Sequence, residues 1–264
     1  MGRVRQVLVG AAMLLGAVAA WAHPDLVVQI DDLTVRLAAS PDDTELLLKR
    51  GDLYRRHQDY TAAARDFDRA AEVSPGEPLL DFYRGRLQQE TGHPEQADPL
   101  LARYLENHPE QASAWKLRGE VALSLNDPAR SAAYFSEAIS LSSAPSPDLY
   151  RLLVMAQVAA GGQYWPAAMQ NVDQGLNRYG LEVTLLGLGT DIALASGQPE
   201  RAAGWINALP PKLLTLPQWE ARADLLDCFQ LSPEPTCQAQ AVSKLRQQTE
   251  NFMRHFHPGS SSES

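Results

Sequence analysis

Neighbouring carboxylates are the first residues in this sequence that could do chemistry, because two such groups can divide acid and base roles between them. They occur at Asp31-Asp32 and at Asp42-Asp43. The second pair comes directly before a predicted helix, where carboxylates cap backbone N–H groups and favour the positive end of the helix dipole. We therefore interpret both pairs as capping and solvated residues.

The histidines offer two weak metal-binding arrangements. His255 and His257 could chelate a metal in an extended chain, but the sequence places no third ligand near them. Cleavage of the chain after Ala22 would leave His23 as an N-terminal residue that could bind copper through its amine and imidazole groups. Pro24, however, denies copper the next backbone nitrogen. We expect no metal and no other cofactor.

Motifs that build known catalytic sites are missing from the sequence. It has no GxSxG nucleophile elbow, no HExxH zinc motif, no CxxC pair and no GxxxxGK phosphate loop. The fragment Gly187-Leu188-Gly189 lies inside a helical pattern, where small residues are typical of close helix packing. We expect no catalytic residues, and we predict that the protein is not an enzyme.

The two cysteines, Cys228 and Cys237, are close in sequence and lie at the ends of two predicted helices. In an oxidising compartment this spacing predicts a disulfide, with two buried free thiols as the alternative. A loop this short would stabilise the fold by roughly 2–3 kcal/mol according to the chain-entropy estimate.

Composition excludes several classes of protein. The chain has 264 residues, 45% of them hydrophobic, and a formal net charge of −9. This length and hydrophobic content suit a folded core, and the acidic balance argues against a nucleic-acid partner. Two cysteines are too few for a multi-cysteine zinc or iron–sulfur site.

The N-terminal segment has the layout of a secretory signal peptide. Arg3 and Arg5 precede an uncharged apolar run over 7–20, and Ala20-Trp21-Ala22 then supplies small residues at the two positions that a signal peptidase reads. The run is shorter than the roughly 20 residues that span a membrane. We expect cleavage after Ala22 and a periplasmic or secreted protein without a membrane span, although a retained anchor is the alternative. No cysteine lies near the site, so we expect no lipid anchor there.

An internal repeat of 34 residues runs through the next part of the chain. Gly51, Gly85 and Gly119 follow this spacing. Pro41, Pro75 and Pro109 and also Arg50, Arg84 and Arg118 share the same period. Three series with one period indicate a repeated structural unit.

Within a unit, the pattern describes two helices that pack closely. The first unit, counted from Thr44, places the following residues at regular positions: Leu47, Gly51, Tyr54, Ala63, Phe67, Ala70 and Pro75. This sequence resembles the tetratricopeptide repeat (TPR) family. The resemblance implies an all-α, right-handed solenoid of helix–turn–helix units, in which each pair buries its apolar face against the next.

The resemblance gives a domain organisation. We expect a signal peptide over 1–22, a capping helix within 23–43 and a TPR solenoid over 44–210. Its repeats would cover about 44–77, 78–111, 112–148, 149–182 and 183–210, of which the last two are degenerate. Two helices within 211–257 would cover the other end of the solenoid, and 258–264 would be a disordered tail.

In TPR proteins the first helix of each pair lines a concave groove that holds a partner peptide or helix. The family's groove positions carry over, repeat by repeat, to a set of apolar and basic side chains that we expect to contact the partner: Leu48, Arg55, Leu79, Phe82, Arg86, Gln89, Lys116, Tyr150, Leu153 and Gln157. Arg55, Arg86 and Lys116 would form a basic strip, which favours a partner segment with apolar side chains and some negative charge. The alternative is that these side chains merely solvate the inner face.

These patterns favour a non-enzymatic scaffold of the bacterial cell envelope that binds a segment of a partner protein. Two alternatives stay open: a structural role through self-association, and an accessory subunit of an envelope enzyme complex. Fold alone does not decide among them, because solenoids of this kind serve many assemblies.

Overall fold

The computed structural model describes residues 24–231 and 235–257, and this part of the chain is all-α. The expected signal peptide over 1–22, His23 and the expected tail over 258–264 lie outside the described residues. The helices are α1 (Pro24–Ala39), α2 (Thr44–Arg56), α3 (Tyr60–Val73), α4 (Pro78–Glu90), α5 (Pro94–Asn107), α6 (Ala112–Ser124), α7 (Pro128–Leu141), α8 (Pro147–Ala159), α9 (Trp165–Tyr179), α10 (Val183–Ala195), α11 (Pro199–Asn207), α12 (Pro211–Leu214), α13 (Pro217–Leu231) and α14 (Pro235–Phe256).

Two compact units divide the chain, with their boundary inside α4 between Leu80 and Asp81. In the first unit α1 packs against α2, and α2 pairs with α3. The apolar side of α1, which the sequence pattern identifies, is buried at Leu26, Ile30, Leu33 and Leu37.

In the second unit the chain continues as helix pairs, α4/α5, α6/α7, α8/α9 and α10/α11. The sequence therefore predicts the fold class correctly. Among the described residues, no helix has the length and hydropathy that a membrane-spanning segment needs.

A small residue that faces a large one sets the packing within each of the first three pairs. A Cβ atom added at Gly51 would lie 2.4 Å from the ring of Phe67, and one at Gly119 would lie 2.5 Å from the ring of Phe135. In the second pair, a Cβ at Gly85 would meet the side chain of Leu101 at 2.9 Å. The large partner follows the glycine by 16 residues each time, so the 34-residue repeat preserves one contact between the two helices.

Ion pairs across neighbouring helices accompany this packing. The Asp98 carboxylate on α5 accepts hydrogen bonds from Arg118 Nε at 2.8 Å and from Arg130 Nη2 at 3.1 Å. Burial alone would raise the pKa of Asp98, but the hydrogen bonds and charges of the two arginines outweigh it, and the pKa lies below its ordinary value. This carboxylate therefore ties α5 to α6 and α7.

The fourth pair begins two residues before the position that the sequence count gives. Each first helix of the five pairs has 13 residues, and in the fourth pair that helix starts at Pro147 and not at Leu149. The Ser146 side chain caps it by accepting a hydrogen bond from the backbone N–H of Leu149 at 3.2 Å. This shift changes which side chains of α8 reach the inner face.

The C-terminal helices do more than cover the end of the stack. Helix α13 packs against α11 and α10, as a cap should, but α14 also crosses back over α10, α8 and α6. These three are the first helices of their pairs. We use "inner face" for the surface that α6, α8 and α10 present to α14.

A disulfide joins Cys228 on α13 to Cys237 on α14, with the two Cα atoms 6.0 Å apart. It attaches the start of α14 to α13 across the short connection between them. These are the two cysteines that the sequence analysis pairs.

We expect the substitution Gly119→Ala to destabilise the protein, because the buried ring of Phe135 leaves no room for a methyl group. Overpacking of this kind costs about 1–3 kcal/mol, more than the roughly 1 kcal/mol that alanine gains over glycine in a helix. Gly204 on α11 is exposed, and an added Cβ there meets nothing within 4 Å. Gly204→Ala should therefore leave stability unchanged or raise it. Urea unfolding of both variants tests this, and equal effects would contradict the packing described.

Candidate binding cleft

A large open cleft lies within the second unit, between the inner face and the two C-terminal helices. Its volume is about 1620 Å³. One wall consists of residues from α4, α6, α8 and α10 and from the turn before α5, and the other consists of α13 and α14.

Three predicted groove residues on α8 do not reach this cleft, because of the two-residue shift. Tyr150, Leu153 and Gln157 are only 5%, 1% and 8% exposed. The Gln157 side chain accepts a hydrogen bond from Asn171 on α9 at 3.0 Å, so it faces the second helix of its own pair. In their place α8 presents other side chains to the cleft: Asp148, Arg151, Leu152 and Met155.

Of the other predicted groove residues, Gln89 is the one that lines the cleft. Its side-chain amide donates to Ser124 Oγ at 2.8 Å, which links α4 to α6. Phe82 instead packs against the ring of Tyr104 with the ring centroids 5.2 Å apart. In the first unit Leu48 is buried, whereas Leu79 is largely exposed.

The expected basic strip is neutralised, because each of its cations pairs with a carboxylate on its own helix. Arg55, which is buried, pairs with Asp52 at 2.8 Å, and Arg86 pairs with Glu90 at 3.6 Å. Lys116 pairs with Glu120 in the same way. Sequence positions alone do not show these neighbouring acids, and the basic strip stays a prediction.

Most of the charged groups that line the cleft are paired, because Glu90, Glu120 and Asp148 each have a cationic partner. The lining includes the carboxylates of Glu90, Glu95, Glu120 and Asp148 but the guanidinium groups of Arg151 and Arg222 alone. Arg151 pairs with Asp148 at 2.8 Å. The remaining lining is apolar or neutral and polar, with Leu188, Trp219, Phe252 and the amides of Gln218, Gln248 and Asn251.

A buried carboxylate, Asp191, connects the inner face to both C-terminal helices. It is 3% exposed. Its oxygens accept hydrogen bonds from Arg222 of α13, at 3.0 Å and 2.5 Å, and from Gln248 of α14, at 2.9 Å. Lys244 of α14 completes this Asp191 network with an ion pair at 3.2 Å. One side chain of α10 thus holds two helices.

Small residues on α10 make room for these partners. A Cβ added at Gly187 would lie 3.1 Å from the guanidinium of Arg222, and one at Gly189 would lie 2.8 Å from Val172 and 3.0 Å from Trp205. The interpretation of the Gly187-Leu188-Gly189 fragment as a close-packing element is confirmed. Gly187 has a second role, because it lets the arginine approach the backbone of α10.

The sequence analysis missed Asp191, although two signals mark it. Asp191 is the one charged residue in α10, whose other residues are apolar or small. It also stands at the ninth position of its repeat, counted from Val183, which is one of the family's groove positions. A lone charge on a predicted inner face calls for a partner of opposite charge, because an unpaired buried charge is costly.

The remaining candidate residues serve the fold or lie at the surface. Asp43 caps α2 by accepting from the backbone N–H of Leu46 at 3.0 Å, as expected. His255 is exposed at the cleft, with its ring centroid 5.4 Å from that of Phe256. In the described part of the chain, no three histidine, cysteine or acidic side chains come together in an arrangement that could hold a metal ion.

The family model of the tetratricopeptide repeat matches this chain at residues 10–78, 48–92 and 82–148. Together the matches span more than half of the 264 residues. The chain belongs to the tetratricopeptide repeat family. The matched TPR segments include the helix pairs α2/α3, α4/α5 and α6/α7, in which the structure shows the small-to-large contact. No curated protein shows significant sequence similarity to the chain.

Solved structures share this TPR fold at low sequence identity. PilF of Pseudomonas aeruginosa is 16% identical, with a TM-score of 0.59 over 76% of this chain and 90% of its own. PilW, described as a widely conserved type IV pilus biogenesis factor, is 17% identical with the same TM-score, over 75% of this chain and 90% of its own. YrrB, described as a TPR protein with an unusual peptide-binding site, is 12% identical, also with a TM-score of 0.59, over 81% and 99%.

We expect the substitution Asp191→Asn to cost about 3 kcal/mol or more, because it leaves the buried guanidinium of Arg222 without a counter-charge. A matched control is Asp173→Asn, which removes the partner of Arg201 in a partly exposed pair at 2.5 Å. The control should cost less than about 1 kcal/mol. Urea unfolding measures both, and a loss at Asp191 no larger than the loss at Asp173 would contradict the role of the Asp191 network.

Proposed function

We propose that this TPR protein is a non-enzymatic binding module that holds a segment of a partner protein in the cleft between its inner face and α14. The observation that carries this proposal is the cleft itself. Its volume of about 1620 Å³ exceeds the roughly 300–1,000 Å³ of typical small-molecule pockets, and it is open to solvent. A polypeptide segment suits such a space better than a small metabolite does.

The lining of the cleft indicates how a polypeptide would bind. The side-chain amides of Gln218 and Asn251, which are exposed in the cleft, can donate hydrogen bonds to a peptide backbone. Leu188 and Phe252 offer apolar contacts for side chains of the partner. Because Glu90, Glu120 and Asp148 are each paired with a cation, the lining gives no strong preference for a partner segment of either charge.

The chemistry of the cleft supports binding more than catalysis. Its ionised groups are paired at Asp148–Arg151 and at Lys116–Glu120, and Arg222 is held by Asp191. TPR domains act generally as interaction modules, and YrrB is described as having a peptide-binding site. These points support a scaffold role for this chain.

We further propose that the protein acts in the bacterial cell envelope after export. The basic, apolar and A-x-A segments at its N-terminus support this location, and the description of PilW as a pilus biogenesis factor is compatible with it. Mass spectrometry of the protein recovered from the periplasm should give a chain that begins at His23. Recovery of the full chain in the cytoplasm alone would contradict the proposed location.

We expect a photo-activatable amino acid at Glu95, which is exposed in the cleft, to cross-link to one defined peptide of a partner protein in envelope extracts. The substitution Thr184→Arg should reduce this cross-link at least tenfold, because a long side chain would then fill the cleft. Ser136→Arg on the exposed side of α7 is the matched control and should have no effect. An equal yield from all three proteins would contradict binding in the cleft.

A further inference from the structure

The C-terminal helix α14 has two halves that are held on the inner face in different ways. The first half, up to residue 248, is attached by the disulfide to α13 and by the Asp191 network to α10. It also buries Ala241 and Leu245 in the apolar core around α10. Covalent, ionic and apolar contacts together fix this half.

The second half, residues 249–257, has weaker attachments, and we call it the latch. None of its residues is fully buried. Phe252, Met253 and Phe256 are its contact residues, and they pack half-buried against apolar side chains of α6 and α8. Thr249 donates a hydrogen bond to a backbone oxygen of α14 itself, and Arg254 donates to Asn251. Apolar contacts of Phe252, Met253 and Phe256 are thus a main attachment of the latch to the inner face.

Open space flanks the latch on both sides. The large cleft borders it at Phe252 and Phe256, and a second cavity of about 430 Å³ borders it at Thr249, Glu250 and Met253. A segment with few buried apolar contacts opens at a lower free-energy cost than the core of a domain. The latch can therefore leave the inner face while the first half of α14 stays in place.

The surface beneath the latch is apolar and belongs to the first helices of two TPR pairs. The latch packs against an apolar cluster that includes Leu123 of α6 and Leu152 and Ala156 of α8. The latch side chains that pack on this cluster also indicate which side chains of a partner would fit it. They are two aromatic rings one helical turn apart, with centroids separated by 5.3 Å, and a methionine beside the first ring.

We propose that the inner face of α6 and α8 is a docking surface for an amphipathic helix, and that the latch occupies it in the absence of a partner. The partner helix carries two aromatic residues four positions apart and replaces the latch. This proposal rests on the proposed function and adds the class of partner and its competition with a segment of this chain. The class of partner follows from the latch itself, which is the helical segment that lies on this surface in the structure.

Competition within one chain sets the scale of the effect. A tethered segment acts at an effective concentration in the millimolar range. The apparent Kd of a competing helix is then its intrinsic Kd divided by the fraction of time that the surface is uncovered. Weakening the latch should then strengthen the binding of a helix added in trans. A latch with no competing role would leave such binding unchanged.

The test uses the full chain and a fluorescent peptide of residues 244–257 as the probe. In the double variant Phe252→Ser/Phe256→Ser, the latch loses its aromatic contacts and the surface is free. We expect fluorescence anisotropy to show that the peptide binds this variant at least ten times more tightly than the wild type. Circular dichroism and cooperative urea unfolding check that the variant is folded.

Two controls separate the aromatic contacts from other effects. The variant Gln247→Ser/Arg254→Ser changes two exposed residues of α14 and should bind the peptide as weakly as the wild type. A peptide with serine at both aromatic positions should not bind the freed surface. Equal peptide affinity for the folded double variant and the wild type would overturn the proposal, as would equal binding of the serine peptide.

A second measurement distinguishes this proposal from its rivals. If sedimentation showed a wild-type dimer that Phe252→Ser/Phe256→Ser abolishes, the surface would bind the latch of a second copy, and the partner-helix proposal would be wrong. Failure of the cross-link at Glu95 with success of the peptide competition would refute binding in the cleft and leave the docking surface intact. The converse result would refute the docking surface alone.

Discussion

The Asp191 carboxylate is the interaction on which the arrangement of the second unit depends. It is buried on α10, and it holds Arg222 of α13 together with Lys244 and Gln248 of α14. A buried charge without partners would be strongly destabilising. Movement of α13 or α14 away from α10 would leave such a charge, so the pairing of Asp191 holds both helices against the inner face. Because α14 is fixed there, the TPR groove is no longer an open surface. It becomes a cleft with a wall, and any partner must bind beside that wall or displace part of it.

The repeat architecture could be predicted from the sequence because its determinants are local and periodic. Gly51 and Gly119 face Phe67 and Phe135 at a constant spacing of 16 residues, so one contact recurs wherever the pattern does. The helix starts also follow from local signals. At α8 the repeat counted from the sequence starts at Leu149, two residues after the observed helix start. Ser146 followed by Pro147 is the local signal for that start, because the Ser146 side chain caps the helix. Because of this difference, the sequence analysis assigns Tyr150, Leu153 and Gln157 to the groove, whereas the structure buries them.

The site was harder to predict because it depends on contacts between residues that are distant in sequence. Asp191 meets Arg222 after 31 residues and Gln248 after 57. No periodic pattern connects these positions, since α13 and α14 lie beyond the matched repeats. The charge environment of the predicted groove residues is hard to predict for a related reason, because Arg86 and Lys116 each pair with a glutamate one turn along the helix. Position in a repeat predicts where a side chain points, but it does not predict which charges neighbour it.

The central claim is that α14 lies on the inner face, held firmly in its first half and weakly in its second. Hydrogen–deuterium exchange of the full chain without a partner tests this claim most directly. Amides of residues 241–248 should exchange as slowly as those of α10, while amides of 250–256 should exchange at least ten times faster than these and still more slowly than an unstructured peptide. Fast exchange along the whole of α14, with α10 protected, would contradict the claim.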